Sequence, residues 1–329
     1  MSIIDHTSKM QPLRPDYLSL QFDVNGTIVF GDTTKKVNAL IFAIARFTNY
    51  KWDINHPEMS YVDYVQKVLI PGDKCDEAVK KKQEQQIAGF LETLKQQNHP
   101  LCQQTSHLYE TLAKQYLDKK TQNASFTLFP SVMKLIQKAT QICPATTCTL
   151  RTFGFDGPQI AHEWNKLNAQ GAFGEKTLEI THRAYFANDA LHIEGDKRIR
   201  KGHKLFKTLH KAHTLCQDDF ETWHTNKRKA AAGKRLYCVH DGNFEGKKAL
   251  TIFFDDNLNK RPKGRDRTQP ADPDEQNIAF PVDIYARPVS WDSAGVIGIR
   301  VNPIKAALDE DYLINKVNKQ LIKRGFASF

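Results

Sequence analysis

Three segments of the sequence place chemically capable side chains directly after a short apolar run. The first is Asp23-Val24-Asn25-Gly26-Thr27, after the alternating residues 18–22. The second is Arg151-Thr152, and the third is Asp255-Asp256 after the run 250–254. Carboxylate and amide oxygens can bind a divalent cation, and hydroxyl and backbone N–H groups can hold the oxygens of a phosphate. The residue types therefore indicate phosphoryl chemistry that depends on a metal.

The elements that must position these groups are β-strands. Residues 18–22, 147–151 and 250–254 have strand-like composition, and each run ends where polar residues begin. Adjacent strand residues point to opposite faces, so Asp255 and Asp256 cannot both follow the strand's register and one must turn into the loop. Taken singly, Asn25-Gly26 and Asp255-Asp256 are also typical of solvated turns. Together they predict one site at the carboxyl ends of sheet strands, where ligands bind in open α/β folds.

This motif set resembles the haloacid dehalogenase (HAD) superfamily. The resemblance rests on Asp23-x-Asn25-Gly26-Thr27, then Thr152, then Asp255-Asp256, scattered over residues 18 to about 260. It implies an α/β fold with a doubly wound, mostly parallel (HAD-like Rossmannoid) sheet and an inserted, mainly helical cap. It also implies a Mg²⁺-dependent phosphohydrolase that cleaves a phosphomonoester through an aspartyl-phosphate.

The resemblance implies a role for each motif residue. Asp23 would be the nucleophile, Thr152 would hydrogen-bond a phosphate oxygen, and a lysine would stabilise the developing charge. Mg²⁺ would be held by Asp23, the backbone carbonyl of Asn25 and Asp255, and Asp256 is the remaining metal-ligand candidate. The candidate substrate-binding residues are Asn25, Gly26, Thr27 and Arg151.

The resemblance implies that the catalytic lysine lies in a loop ahead of the strand 250–254, which ends at Asp255. Lys234 follows Gly233, precedes the strand-like residues 235–239 and lies 21 positions before Asp255. It is the favoured third catalytic residue. Lys201 and Lys204 are the alternatives, because spacing alone does not decide among the many lysines of this segment.

One departure from the family pattern affects the chemistry. Phosphatases of this family generally carry a second Asp two residues after the nucleophile, where this sequence has Asn25. An amide cannot donate and recover a proton, and such acid–base help contributes about 10²–10⁴ in rate. Asp32 or a histidine of the cap could replace the missing acid.

The alternatives to a phosphatase are a non-catalytic protein that binds phosphorylated ligands or protein partners, and a member with other chemistry such as dehalogenation.

The predicted organisation is a core interrupted by one insertion. Residues 1–37 and 126–329 form the α/β core, and residues 38–125 form a mainly helical insertion, with helices over 38–47, 60–70, 76–96 and 103–119. The insertion is the candidate cap, although part of it could instead form the core's own helical layer. Within the core we expect a hairpin of strands 177–182 and 190–193 and a terminal helix over 303–324.

The net charge of +10 is concentrated in residues 197–235, which carry twelve Lys and Arg residues. The simpler interpretation is a solvated helix, because Leu205, Phe206, Leu209, Ala212 and Leu215 would form one apolar stripe. The functional interpretation is a collar that concentrates a phosphorylated substrate. Nucleic-acid binding is not expected, since the aromatic residues here are not interleaved with the lysines as in a stacking platform.

The remaining features define compartment and partners. The N-terminus lacks a signal-peptide pattern, and no stretch approaches 18 apolar residues, so neither a cleaved signal peptide nor a membrane span is expected. The six cysteines contain no Cys-x-x-Cys pair, which indicates reduced thiols in a cytoplasmic protein rather than a zinc site. The expected partner is a small phosphorylated substrate or a phosphoprotein, with Mg²⁺ as cofactor. The oligomeric state is left open.

Overall fold

A mostly parallel β-sheet lies at the centre of the chain. The computed structural model describes residues 13–31, 38–73, 76–118, 125–187, 190–259 and 270–329. The strands are β1 (Tyr17–Asp23), β2 (Asn49–Tyr50), β3 (Met59–Ser60), β4 (Thr146–Thr152), β5 (His182–Ala187), β6 (Ala190–Ile193), β7 (Ile199–Arg200), β8 (Thr214–Gln217), β9 (Lys234–Cys238), β10 (Asn243–Phe244), β11 (Lys247–Asp255), β12 (Ala279–Asp283) and β13 (Val296–Arg300).

Helices pack around this sheet. They are α1 (Ala39–Phe47), α2 (Tyr61–Tyr64), α3 (Glu77–Ala88), α4 (Phe90–Gln96), α5 (Cys102–Tyr116), α6 (Pro130–Ile142), α7 (Gly157–Ala169), α8 (Gly202–Leu209), α9 (Phe220–Thr225), α10 (Pro303–Leu308) and α11 (Tyr312–Lys323). A π-helical segment (Val65–Leu69) follows α2, and a 3₁₀ turn (Ala230–Ala232) precedes β9. In the described residues no helix has both the length and the apolar character that crossing a bilayer requires.

The strand order places the three motif strands next to one another. The main sheet runs β10-β11-β1-β4-β8-β5-β6-β7, and β13 also pairs with β11. β13, β11, β1, β4, β8 and β5 pair in parallel, whereas β10, β6 and β7 join in antiparallel fashion. The expectation of an α/β fold with a mostly parallel sheet is confirmed. Since the chain leaves β1 toward β4 and later returns to β11 on its other side, β1 lies at the switch point where such folds bind ligands.

The two faces of the central strands differ in character. Leu18, Leu20 and Phe22 of β1 belong to the main hydrophobic cluster, together with Leu150 and Phe254 from the neighbouring strands. Helices pack on this apolar face, and strand β9 together with α8 covers the opposite one, which explains why β1 is buried along almost its whole length.

The opposite face of the same strands is polar. Ser19, Gln21 and Asp23 pair with Thr147, Thr149 and Arg151 of β4. On the other side of β1, Phe22 pairs with Phe254, so Asp23 and Asp255 are the next residues along the two strands. Because strand side chains alternate between the two faces, these two carboxylates lie on the same face, at the carboxyl edge of the sheet.

The insertion 38–125 is mainly helical in its described residues, with only the short β2–β3 pair as sheet. Its buried side chains, including Leu40, Ile44, Phe90 and Leu112, belong to the same hydrophobic cluster as β1 and α6. The insertion thus packs directly on the core. Its division into a separate cap stays a prediction.

The basic segment is not one long helix. α8 ends at Leu209, and Leu215, assigned to the helix's apolar stripe, lies instead in β8 between β4 and β5. The difference comes from tertiary structure. The four residues of β8, of which Thr214, Leu215 and Cys216 are buried, complete the parallel sheet at this position. A hydrophobic spacing of this length fits a helix or a strand equally well.

Two further elements differ from the sequence prediction. The hairpin exists, but its first strand is His182–Ala187 rather than 177–182. The preceding backbone lies along α7, where Leu178 donates to the Asn168 side chain and Ile180 bonds to the Asn165 side chain. The terminal helix is broken into α10 and α11 at residues 309–311.

Several predictions fall on residues outside the described ranges. They are Asp32 as a substitute acid, Cys75 as a reduced thiol, and the portions of the predicted core and insertion at residues 1–12, 32–37, 74–75, 119–124, 188–189 and 260–269. The other five cysteines are free thiols, as expected.

Candidate functional site

Asp23, Lys234 and Asp255 form the centre of the site. Lys234, the first residue of β9, is completely buried, and its Nζ donates a hydrogen bond to Asp23 Oδ1 and, at 3.3 Å, to Asp255 Oδ2. The structure thus brings together the two predicted carboxylates and the favoured lysine, whereas Lys201 and Lys204 are exposed. β9 reaches the site because it pairs with β12 and packs against β11 outside the main sheet.

Asp256 turns out of the strand, as the alternation of strand side chains requires. It lies beyond the last residue of β11, and its backbone N–H donates to the Thr27 hydroxyl at 3.0 Å. Thr27 Oγ1 in turn donates to Asp23 Oδ2 at 3.4 Å. Oxygens of Asp23, Asp255 and Asp256 lie within 4.8 Å of one another. Thr27 therefore connects the first loop to the paired aspartates.

Gly26 is required by the geometry of this loop. Its φ of 75° lies in the left-handed region that side chains rarely adopt. A Cβ atom on Gly26 would lie 3.0 Å from Asp256 Cγ, closer than such contacts normally come. The absence of a side chain allows the first loop to approach the Asp255-Asp256 turn.

Burial and mutual repulsion set the protonation behaviour of the cluster. Burial raises the pKa of Asp23 to about 6, with the charges of Asp256 and Asp218 acting in the same direction and Lys234 opposing them. Burial, and then the charge of Asp23, raises the pKa of Asp255 well above its usual range. Burial alone would lower the pKa of Lys234, but the charges of Asp23 and Asp255 outweigh it and raise that pKa. Since burial and mutual repulsion disfavour the ionised forms of Asp23 and Asp255, an added positive charge beside them would stabilise the site.

The donor set fits a hard divalent cation. All three side chains offer carboxylate oxygens, which Mg²⁺ prefers, and two oxygens bound to one Mg²⁺ lie at most about 4.2 Å apart. The carboxylate oxygens of the three aspartates lie within 4.8 Å of one another, so small side-chain rotations would bring them to the separation that one Mg²⁺ requires. Among the described residues no hydrogen bond is made to the backbone carbonyl of Asn25, the fourth predicted ligand.

Asn25 and Thr152 meet on the other side of the loop. Asn25 Nδ2 donates to the buried carboxylate of Asp156 at 3.1 Å, and its Oδ1 is buried with no hydrogen-bond partner in the described part of the chain. The Thr152 hydroxyl accepts from the backbone N–H of Gly154 at 2.9 Å. A Cβ atom on Gly154 would lie within 4 Å of Asp156, Thr152 and Asn25, so these groups surround one point.

Arg151 lies beneath this site rather than in its opening. Its guanidinium is fully buried, pairs with Asp218, donates to Gln21 Oε1 at 3.2 Å and to the Arg235 carbonyl at 2.6 Å. These contacts occupy the guanidinium, so the geometry gives no support to the predicted substrate-binding role. They attach β4 to β8 and to the residue that follows Lys234.

Sequence reasoning missed several residues of the site. Arg46, at the end of α1, bonds to Asp256 Oδ2 at 3.3 Å and to Asn257 Oδ1 at 2.7 Å. Arg300 of β13 donates to the Asp256 carbonyl at 3.3 Å. No local pattern marked these residues, because they reach the site only through packing. Asp156 could have been noticed four positions after Thr152, in the same strand-end loop.

Comparisons of the chain with protein-family models, with curated proteins and with solved structures found no match. Any functional assignment therefore rests on the residues of the site and their arrangement.

Proposed function

We propose that this protein is a Mg²⁺-dependent phosphohydrolase that cleaves a phosphomonoester through an aspartyl-phosphate on Asp23. The observation that carries the proposal is the buried cluster of Asp23, Asp255 and Asp256 around the ammonium of Lys234. The cluster lies where parallel strands β11, β1 and β4 end, at the switch point of the sheet. The resemblance to the HAD superfamily names the same residues from their order in the sequence.

Asp23 has the position of a nucleophile. One of its oxygens accepts from Lys234 and the other from Thr27, so the carboxylate is held in one orientation. Attack of a carboxylate oxygen on phosphorus breaks the bond between phosphorus and the leaving oxygen, and water then cleaves the aspartyl-phosphate. The two displacements return the free carboxylate and release inorganic phosphate.

The remaining groups supply charge and alignment, which dominate phosphoryl transfer. Lys234 presents a cation to the transferring group, and Thr152 offers a hydroxyl at the adjacent strand end. Mg²⁺ bound by Asp23, Asp255, Asp256 and the Asn25 carbonyl would neutralise phosphate charge. Burial raises the pKa values of Asp23 and Asp255, and a bound cation would favour their ionised forms, which agrees with such a requirement.

Asp156 is our candidate for the proton transfer that Asn25 cannot perform. Its carboxylate accepts a hydrogen bond from the Asn25 amide, so it lies one side chain away from the position of the family's acid. It would protonate the leaving oxygen in the first displacement and accept a proton from water in the second. In this arrangement Asn25 positions the acid.

A phosphatase assay with a generic phosphomonoester tests the proposal. Turnover of p-nitrophenyl phosphate should require Mg²⁺, stop with excess chelator, and disappear in Asp23→Asn, while acid quenching should trap phosphate on Asp23. Asp283→Asn is a matched control, because Asp283 is an equally buried carboxylate that caps the end of β12 instead. Turnover that survives in Asp23→Asn or in chelator would contradict the proposal. Binding of phosphorylated ligands without turnover would favour the non-catalytic alternative.

A further inference from the structure

An aromatic cavity lies beside the site, at the ends of β4, β8 and β5. It has a volume of about 510 Å³, within the range of small-molecule sites. Four Phe and Tyr side chains are exposed in the described residues, and three of them line this cavity: Phe155 (82%), Tyr185 (50%) and Phe220 (44%). Exposed aromatic groups that converge on one cavity indicate a binding surface.

The cavity borders the catalytic cluster at Phe153. The Phe153 ring lines the cavity and its centroid lies 5.0 Å from Lys234 Nζ. It stacks on Trp223 at 5.2 Å and packs edge-on against Phe220 at 5.8 Å. Phe186, on the opposite side, is held 4.6 Å from the Arg151 guanidinium. Two walls of the cavity are therefore fixed by residues that also organise the site.

The polar lining of the cavity accepts hydrogen bonds and repels anions. It contains Asp218, Asp219 and Glu221, and no Lys or Arg among the described residues. Arg151 compensates Asp218, but Asp219 and Glu221 keep the rim acidic. A second phosphate would be unfavourable here, whereas a ring with N–H donors would be stabilised by stacking and by these acceptors.

We propose that this cavity binds the leaving group of the substrate, and that this group carries a planar aromatic ring with hydrogen-bond donors, as in a nucleoside monophosphate. This inference rests on the proposed function, because the cavity receives the leaving group only if phosphoryl transfer occurs at Asp23. It adds the class of substrate, which the catalytic cluster does not define.

The test compares adenosine 5′-monophosphate with ribose 5-phosphate. Cleavage of either compound breaks the ester of a primary ribose hydroxyl, but only the nucleotide carries an aromatic base. Stacking of one base contributes about 1–3 kcal/mol, so kcat/KM should be about 5- to 150-fold higher for the nucleotide. Phe155→Ala and Phe220→Ala should each lower kcat/KM for the nucleotide much more than for ribose 5-phosphate, so that most of that difference disappears. Tyr285→Ala is the matched control, since Tyr285 is exposed but outside the cavity.

A binding measurement separates this inference from the proposed function. Equilibrium dialysis with adenosine, which has no phosphate, should show binding to wild type and to Asp23→Asn, and loss of binding in Phe155→Ala. Equal kcat/KM for the two phosphate esters, or adenosine binding no tighter than ribose, would overturn the assignment of this cavity to an aromatic leaving group. If no phosphomonoester is cleaved but adenosine binds and Phe155→Ala abolishes it, the proposed function fails while the cavity assignment stands.

Discussion

At the residue scale, the proposed chemistry requires Asn25 and Asp156 to divide one task, with Asn25 positioning the carboxylate that would transfer the proton. The Asn25 amide is an acceptor and donor of hydrogen bonds that cannot release a proton at neutral pH, and it holds the Asp156 carboxylate at 3.1 Å. A carboxylate placed by its neighbour can perform acid–base catalysis from an unusual position in the sequence. The pair can therefore be tested by exchanging the two residue types.

We expect Asp156→Asn to lower kcat on a phosphomonoester by about 10²–10⁴, the usual contribution of a general acid. The double variant Asn25→Asp/Asp156→Asn should recover much of this loss, because it moves the acid to the neighbouring side chain. Steady-state kinetics of the single and double variants measure both effects. A wild-type kcat in Asp156→Asn would show that Asp156 is not the acid.

At the element scale, the loop after β1 and the turn after β11 must approach each other closely. Gly26 makes this possible through its left-handed backbone and its missing side chain. The two requirements can be separated, because Gly171 has nearly the same φ of 73° but no atom within 4 Å of an added Cβ.

Gly26→Ala and Gly171→Ala should each lose about 1–2 kcal/mol of unfolding free energy, since both force alanine into the left-handed region. Only Gly26→Ala should also lose catalytic activity, because its methyl group displaces Asp256. Urea denaturation and phosphatase kinetics on both variants measure the two effects. Equal activity in the two variants would mean that the approach to Asp256 does not matter.

The strands are also fixed to one another by the buried pair of Arg151 and Asp218. Removing one partner of a buried ion pair leaves the other charge uncompensated, which costs about 3–5 kcal/mol. Arg151→Met should therefore destabilise strongly, and Arg151→Met/Asp218→Leu should recover most of the loss in urea denaturation. If Arg151 instead bound substrate, Arg151→Met would raise KM and leave the unfolding free energy unchanged.

At the scale of the whole molecule, the half-buried His213 links stability to pH. His213 Nδ1 accepts from the Cys148 backbone N–H at 3.1 Å, so the folded protein needs the neutral ring. Burial, with a smaller effect of the Lys176 charge, lowers the pKa of His213 to about 4. Because an unfolded histidine titrates near 6.5, the unfolded state binds more protons between these values. Stability should be complete above pH 6.5 and should fall as the pH approaches 4.

His213→Asn keeps an acceptor for the Cys148 N–H and removes the titration. The loss of unfolding free energy between pH 7 and pH 4.5 should shrink by up to about 3 kcal/mol relative to wild type. Urea denaturation at the two pH values measures it, with His107→Asn as a control at an exposed histidine. An unchanged pH dependence in His213→Asn would assign the acid sensitivity to other groups.

The sequence by itself determined the parts of the site that depend on local pattern. Asp23, Thr152 and Asp255 follow apolar runs whose period of two gives strands, and Asp256 had to turn because strand neighbours face apart. Lys234 was found by its position between a glycine and a strand. These features need only the chain on either side of them, and the α/β class follows from their alternation with helices.

Only the tertiary structure decided which distant groups meet. Arg46 contacts Asp256 across 210 positions and Asp156 contacts Asn25 across 131, through packing that no local spacing encodes. β8 was hidden for the same reason, since a four-residue apolar run becomes a strand only when β4 and β5 are there to pair with it. The burial of Arg151 and the aromatic cavity likewise arise from the parallel register, which joins segments that are far apart in the chain.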